Sequence, residues 1–202
     1  MELILASGSQ RRRELMAMCG YDFTVMPSSA DEETAACSPK ELVERLSLKK
    51  AESVFRSLPE ERRRGAVVVG SDTVVVLGDE MIGKPKDPEE AIAMLRRESG
   101  RVNTVHTGLA VVRCAPNGET ERSVVSDSAC VRFAELGEDE IAAYTATGDP
   151  LDKAGAYGIQ GVSSMFIEGI SGSYFTVVGL PVHLLYRELK KVGILPHMLS
   201  PQ

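Results

Sequence analysis

The sequence lacks three features that would assign it to other classes of protein. Its four cysteines show neither metal-ligand spacing nor a dense disulfide pattern, so we expect reduced thiols. Basic residues are not in excess, and the net charge of −6 argues against nucleic-acid binding. The apolar run at residues 3–6 is too short for a signal peptide or a membrane span. We therefore expect a soluble, cytoplasmic protein with neither nucleic acid nor membrane as a partner.

The chain also lacks internal repeats, low-complexity tracts and a clear interdomain linker. Its 202 residues, of which 43% are hydrophobic and 26% charged, are enough to bury a substantial core. We expect residues 1–202 to form a single domain.

Strand and helix patterns alternate along the chain. Ser38-Pro39-Lys40-Glu41 is a capping box that predicts a helix ending near Ser57, and Asn117-Gly118 predicts a hairpin between two long strands. This order indicates an α/β fold with a mixed, twisted sheet and flanking helices. Because the hairpin is long, we expect it to extend the sheet into a second lobe, with a cleft between the lobes.

Three consecutive arginines follow the small residues Ser7, Gly8 and Ser9. Ser9 is a suitable N-cap, which places Arg11 and Arg12 in the first turn of a helix. That turn already carries partial positive charge, so arginines are unfavourable there unless an anion binds. Free backbone N–H groups and guanidinium groups together favour a phosphate site. The alternative is a solvated basic turn, and the segment alone leaves the two interpretations even.

Asp72 lies inside a β-branched run from Ala66 to Leu77. Burying a carboxylate costs several kcal/mol unless it is paired or bound to a metal. The residue is therefore either part of an ion pair or kept for chemistry. The alternative is a strand that ends in a loop at Ser71-Asp72, but the strand pattern resumes immediately after Asp72.

Two lysines and one glutamate could complete a site around this carboxylate. Lys50 lies on the apolar face of its helix and needs a partner anion, whereas Lys49 belongs to the charged face. Lys84 lies in the rigid turn Gly83-Lys84-Pro85, and Glu33 could bind a hard divalent cation through oxygen. Simple solvation is the alternative for Lys84 and Glu33.

The segment from Asp152 to Gly161 contains closely spaced glycines but no phosphate-loop ending. Its glycines allow the backbone to approach a flat ligand, and Gln160 offers both a donor and an acceptor. Such an amide can pair with the imide edge of uracil or thymine. The alternative is an irregular loop with Gln160 in solvent.

Taken together, these motifs resemble the Maf family of nucleoside triphosphate pyrophosphatases over residues 3–192. The resemblance rests on Leu5-Ala-Ser-Gly-Ser9 with Arg11-Arg12, on Ser71-Asp72-Thr73, on Gly83-Lys84-Pro85 and on Asp152-Lys-Ala-Gly-Ala-Tyr-Gly-Ile-Gln-Gly161. It implies a two-lobed fold like that of inosine triphosphate pyrophosphatases. It also implies cleavage of a nucleoside triphosphate to monophosphate and pyrophosphate with Mg²⁺ or Mn²⁺, and a possible homodimer.

The resemblance also implies roles for individual residues. Asp72 matches the catalytic base, and Glu33 with Asp72 matches the metal-associated acids. Arg11, Thr73 and Gln160 match positions tied to substrate choice. The phosphate-side positions are Ser7, Ser9, Arg11, Arg12, Lys50 and Lys84.

The form Ala-Tyr-Gly-Ile-Gln-Gly is similar to the subgroup acting on dTTP and UTP. Such an enzyme would remove unwanted or modified pyrimidine nucleotides. Two alternatives stay open: a nucleotide-binding regulator of cell division without turnover, and a pyrophosphatase acting on 7-methyl-GTP. One departure from many relatives is Gln10, where they have proline, and we expect it to leave the chemistry unchanged.

Overall fold

A mixed β-sheet forms the framework of the computed structural model, which describes residues 1–31 and 38–199. Within these residues the strands pair in the order β2-β1-β3-β5-β6-β7, and β4 pairs with β3. β1 runs parallel to β2 and β3, whereas β4 and β7 pair antiparallel with their neighbours. The strands are β1 (Glu2–Leu5), β2 (Thr24–Val25), β3 (Ala66–Leu77), β4 (Glu80–Ile82), β5 (Val102–Cys114), β6 (Thr120–Phe133) and β7 (Ile167–Ser171).

Helices connect these strands, which confirms the prediction of an α/β fold with a mixed sheet and flanking helices. The helices are α1 (Gln10–Met18), α2 (Pro39–Ser57), α3 (Glu60–Arg63), α4 (Pro88–Glu98), α5 (Glu138–Ala146), α6 (Tyr174–Val178) and α7 (Val182–Lys191). The capping box predicted at Ser38 and Glu41 is formed, and α2 ends at Ser57 as the pattern predicts. None of the helices in the described ranges is long and apolar enough to span a membrane.

The chain divides into two compact units. The first comprises Met1–Asp72, Thr107–Asp127 and Gly179–Gln202, and the second comprises Thr73–His106 and Ser128–Val178. Each unit has its own cluster of buried apolar residues, around Val54 and Val68 in the first and around Leu95 and Phe133 in the second. The arrangement of two lobes around a cleft stays a prediction.

The cysteines of the described residues carry free thiols, as the sequence predicts. Cys19, Cys114 and Cys130 are unpaired and half-buried. Cys37 lies outside the described residues.

In the first unit, α2 lies directly against glycines of two strands. A Cβ atom added to Gly70 would lie 2.2 Å from the carbonyl oxygen of Ser47 and 2.8 Å from the backbone nitrogen of Ala51. At Gly108 a Cβ atom would lie 2.2 Å from the carbonyl oxygen of Val43. Only residues without a side chain fit these distances, so the helix backbone packs where β3 and β5 carry glycine.

The course of β3 corrects one interpretation of the sequence. Gly70 makes room for a helix, and β3 continues through Ser71 and Asp72 without interruption. The alternative of a strand ending at Ser71-Asp72 is therefore wrong.

We expect Gly70→Ala to destabilise the first unit because its methyl group would overlap the backbone of α2. Overpacking of this kind costs about 2 to 3 kcal/mol of unfolding free energy. Urea unfolding followed by circular dichroism measures the change. Gly65→Ala is the matched control, since a Cβ atom added at Gly65 would lie 4.0 Å from its nearest neighbouring atom. Equal stability of the two variants would contradict the close packing of α2.

Candidate functional site

The first turn of α1 is held by the small residues that precede it. The Ser9 hydroxyl accepts a hydrogen bond from the backbone N–H of Arg12 at 3.5 Å, as expected of an N-cap. The Ser7 hydroxyl oxygen lies 3.2 Å from the backbone nitrogen of Ser9 and 3.3 Å from Nη1 of Arg12, and it accepts from both. The first turn contains no acidic residue. The helix dipole and the arginines therefore give this turn positive potential.

The neighbouring arginines differ in their surroundings. Arg12 is half-buried, and its Nε donates to the carbonyl oxygen of Gly179 at 2.8 Å. Arg11 is also half-buried, whereas Arg13 is exposed and donates to the side chain of Gln10. The alternative of a solvated basic turn thus describes Arg13 and not Arg12.

Asp72 and Lys50 form an ion pair in the first unit. Nζ of Lys50 donates to Oδ1 of Asp72 at 2.6 Å, and the two side chains are only 14% and 13% exposed. Lys50 directly precedes Ala51, which lies against Gly70 two residues before Asp72. The close packing of α2 therefore places the ammonium group beside the carboxylate. This contact confirms that Lys50 points inward towards an anion.

A single carbonyl group connects the ion pair to the basic turn. Ser71 is fully buried, and its hydroxyl lies 2.8 Å from the carbonyl oxygen of Gly108 and 3.0 Å from that of Gly179. The Gly179 carbonyl oxygen also accepts from Arg12. It thus joins α1 to the residue that precedes Asp72. Sequence reasoning missed Gly179, because a backbone acceptor leaves no trace in side-chain patterns.

In the second unit, two of the predicted motifs are adjacent. The backbone N–H of Gly155 donates to the carbonyl oxygen of Gly83 at 3.0 Å. The turn that carries Lys84 is therefore bonded to the glycine segment that carries Gln160. Lys84 is exposed, and Thr73 and Gln160 are half-buried.

The glycine segment has a backbone that needs its residue types. Gly155 and Gly161 have φ angles of 73° and 85°, in the region that favours glycine. Ala156, with φ of 60°, is the non-glycine residue in this region among those described. Strain of this kind persists only where surrounding contacts hold it. A Cβ atom on Gly158 would lie 2.9 Å from the side chain of Lys153, which packs beneath it.

Lys153 fixes the start of the same segment. It is buried, and its ammonium donates to the carbonyl oxygen of Asp149 at 2.6 Å and to the carboxylates of Asp149 and Asp152 at 2.9 and 2.7 Å. The sequence interpretation assigned no role to this lysine. The sequence signal for this role was the spacing of four residues between Asp149 and Lys153, which allows an ion pair.

A buried polar network contacts the glycine segment through Tyr157. Sequence reasoning missed this network as well. Nδ2 of Asn103 donates to Oε2 of Glu98 at 2.7 Å, and the Tyr157 hydroxyl donates to Oδ1 of Asn103 at 3.1 Å. Glu98 is fully buried, and its Oε1 has no hydrogen-bond partner among the described residues. Burial raises the pKa of Glu98 to about 7, although the Asn103 amide acts in the opposite direction.

Glu33, one of the two predicted metal ligands, lies outside the described residues. Across residues 1–31 and 38–199 there is no group of three His, Cys, Asp or Glu side chains suited to a metal. Magnesium is commonly bound by one or two carboxylates together with phosphates of the substrate. The oxygen donors of Asp72 and Glu33 have the chemistry of such a site, so a metal shared with the substrate stays a prediction.

Comparison with known proteins identifies the family. Residues 2–192 match the family model described as Maf-like protein, and the chain belongs to this family. A dTTP/UTP pyrophosphatase of Symbiobacterium thermophilum is 48% identical over 193 residues, covering 95% of this chain and 94% of the relative. One of Aquifex aeolicus is 40% identical over 200 residues, covering 99% and 100%. The resemblance to the Maf family is thereby confirmed.

Two solved structures are similar along most of the chain. The Ham1 protein of Staphylococcus aureus is 17% identical, with a TM-score of 0.48, covering 95% of this chain and 100% of the other. A dITP/XTP pyrophosphatase of Mycobacterium abscessus is 15% identical, with a TM-score of 0.45, covering 96% and 99%.

The raised pKa of Glu98 makes folding stability depend on pH. Because the carboxyl binds its proton more tightly when folded, stability is lost as the pH rises from 4.5 to about 7. We expect Glu98→Gln to remove this loss, which is on the order of 3 kcal/mol for the full shift. The advantage of the variant over the parent should therefore grow across this pH range.

Urea unfolding at half-unit pH intervals measures this effect. Glu89→Gln is the control, since Glu89 is an exposed glutamate on the same helix. The control should follow the pH dependence of the parent. A Glu98→Gln protein with the slope of the parent would show that Glu98 is not buried in its protonated form.

Proposed function

We propose that this protein hydrolyses dTTP and UTP to the nucleoside monophosphate and pyrophosphate. Membership of the Maf-like family and the names of its relatives support this activity. The observation that carries the proposal is the secluded ion pair of Asp72 and Lys50 in the first unit. It provides a carboxylate of fixed position whose charge is compensated within the protein.

The first turn of α1, which carries Arg11 and Arg12, binds the polyphosphate of the substrate. Ser7 and Ser9 order the turn, and Arg12 is held by the Gly179 carbonyl group. Guanidinium groups and helix N-termini are favourable partners for phosphate oxygens. We assign Arg11 to the same task, and Lys50 and Lys84 by their match to the family motif.

Asp72 is the general base of the proposed reaction. Its carboxylate accepts a proton from water, and the water oxygen attacks the α-phosphorus. A new bond forms between that oxygen and phosphorus, and the bond to the bridging oxygen of the β-phosphate breaks. Pyrophosphate leaves with this oxygen, and cationic side chains bind its negative charge.

A divalent cation, Mg²⁺ or Mn²⁺, would be held by Asp72, by Glu33 and by the substrate. When bound, it would neutralise part of the triphosphate charge. The residues of the chain perform the remaining tasks of orienting the substrate and accepting the proton.

Gln160 is the proposed reader of the pyrimidine. Its amide can donate to one carbonyl of uracil or thymine and accept from the imide N–H. Thr73 and Arg11 match family positions tied to the same choice of substrate. This assignment favours dTTP and UTP over 7-methyl-GTP as substrates.

We expect Asp72→Asn to lower kcat for pyrophosphate release by about 10²- to 10⁴-fold, the usual contribution of a general base. The assay uses dTTP and UTP with Mg²⁺ or Mn²⁺, and chromatography separates monophosphate from diphosphate products. Asp79→Asn, at an exposed acid of the turn between β3 and β4, is the control and should keep the parental rate. An Asp72→Asn protein with parental kcat would remove this residue from the mechanism.

The same assay separates an enzyme from a regulator that only binds nucleotides. Both would bind dTTP, so affinity does not distinguish them. Absence of pyrophosphate over hours with the parent protein would favour the regulator.

A further inference from the structure

We propose that Asn103 is a positioning residue that fixes the pyrimidine-reading segment, residues 155–161, through the hydroxyl group of Tyr157. This inference rests on the proposed function, because it concerns how the same site selects its base. Asn103, Tyr157 and Gln160 all belong to the second unit. None of the sequence motifs contains Asn103.

Tyr157 is the anchor of the pyrimidine-reading segment. It is 5% exposed, and its ring lies 4.7 Å from that of Phe133 in an edge-to-face arrangement. A buried tyrosine usually needs a partner for its hydroxyl group, and here the partner is Oδ1 of Asn103. The aromatic contact and the hydrogen bond together hold the ring in one position.

Asn103 is itself held in one orientation. It is 1% exposed on β5, and its Nδ2 donates to Oε2 of Glu98 at 2.7 Å. The amide therefore presents its oxygen, and not its nitrogen, to Tyr157. An amide with both ends engaged in a buried environment is a rigid connection between α4 and the segment.

The backbone after Tyr157 connects the position of its ring to that of Gln160. The hydroxyl of Ser163 lies 3.1 Å from the backbone nitrogen of Gly158 and 2.5 Å from its carbonyl oxygen. The residue before Tyr157 resists relaxation, because Ala156 has a φ angle of 60°, which a residue other than glycine keeps only where surrounding contacts hold it. We therefore expect a shift of Tyr157 to displace the residues that follow it, towards Gln160.

A network that only stabilises the second unit and a network that also positions the segment predict different effects on substrate selectivity. If the network only stabilised the unit, its loss would lower the melting temperature and leave the folded enzyme with its original selectivity. If it positions the segment, the folded enzyme loses selectivity for pyrimidines. Chemistry at the α-phosphorus would continue, so the change would appear in KM and not in kcat.

The experiment measures kcat and KM for dTTP, UTP and GTP, all well below the melting temperature. Tyr157→Phe removes only the hydroxyl group, and Asn103→Leu removes both hydrogen-bonding ends of the amide. We expect kcat/KM for dTTP and UTP relative to GTP to fall about five- to tenfold through KM, as for the loss of one hydrogen bond. Gln160→Ala should shift the same ratio in the same direction.

Two controls match the chemistry and the stability of these variants. Tyr21→Phe, in the first unit, removes a buried hydroxyl group that has no hydrogen-bond partner within residues 1–31 and 38–199. Ile141→Val removes one buried methyl group from the core of the second unit and costs about 1 kcal/mol. Both should keep the parental selectivity, and Ile141→Val should lower the melting temperature as Tyr157→Phe does.

The possible outcomes are distinct. Altered selectivity in Tyr157→Phe with parental selectivity in both controls supports the positioning role. Parental selectivity in Tyr157→Phe overturns it, even if Asn103→Leu fails to fold, and so does an equal loss in Ile141→Val. A parent protein that releases no pyrophosphate from dTTP or UTP overturns the proposed function and this inference together.

Discussion

The close packing of α2 against two glycines is the constraint on which the candidate site depends. Val43, Ser47 and Ala51 bring the backbone of the helix to positions where β3 and β5 have no side chain. A larger residue at Gly70 would push the helix outward at the turn that contains Lys50. The short bond between Lys50 and Asp72 is therefore a consequence of backbone contact, and not of side-chain reach alone.

This constraint explains how an acid can lie within an apolar strand. Desolvation of two charges costs several kcal/mol, and their attraction often fails to exceed that cost. An apolar pair of similar size could therefore stabilise the folded protein about as well as this ion pair does. We propose that the value of the ion pair is chemical, because it holds a carboxylate next to Ser71, and Ser71 shares the Gly179 carbonyl group with Arg12 of the first turn of α1.

The sequence predicted the parts of the fold and site that follow from local patterns. Capping residues predicted the start of α2, and helical periodicity identified Lys50 as the inward lysine. Long-range backbone contacts have no such pattern, so the functions of Gly70 and Gly179 became evident only in the structure. The Glu98–Asn103–Tyr157 network was missed because its members are distant along the chain and individually ordinary. Glu33 lies outside the described residues, and its role stays a prediction.

The most direct test of this account replaces both members of the ion pair, in the double variant Lys50→Met with Asp72→Leu. Unfolding free energy and pyrophosphate release from UTP are measured on the same preparation. If the pair is kept for chemistry, the double variant should be at least as stable as the parent and should release no pyrophosphate. A variant that still released pyrophosphate at the parental rate would contradict the account.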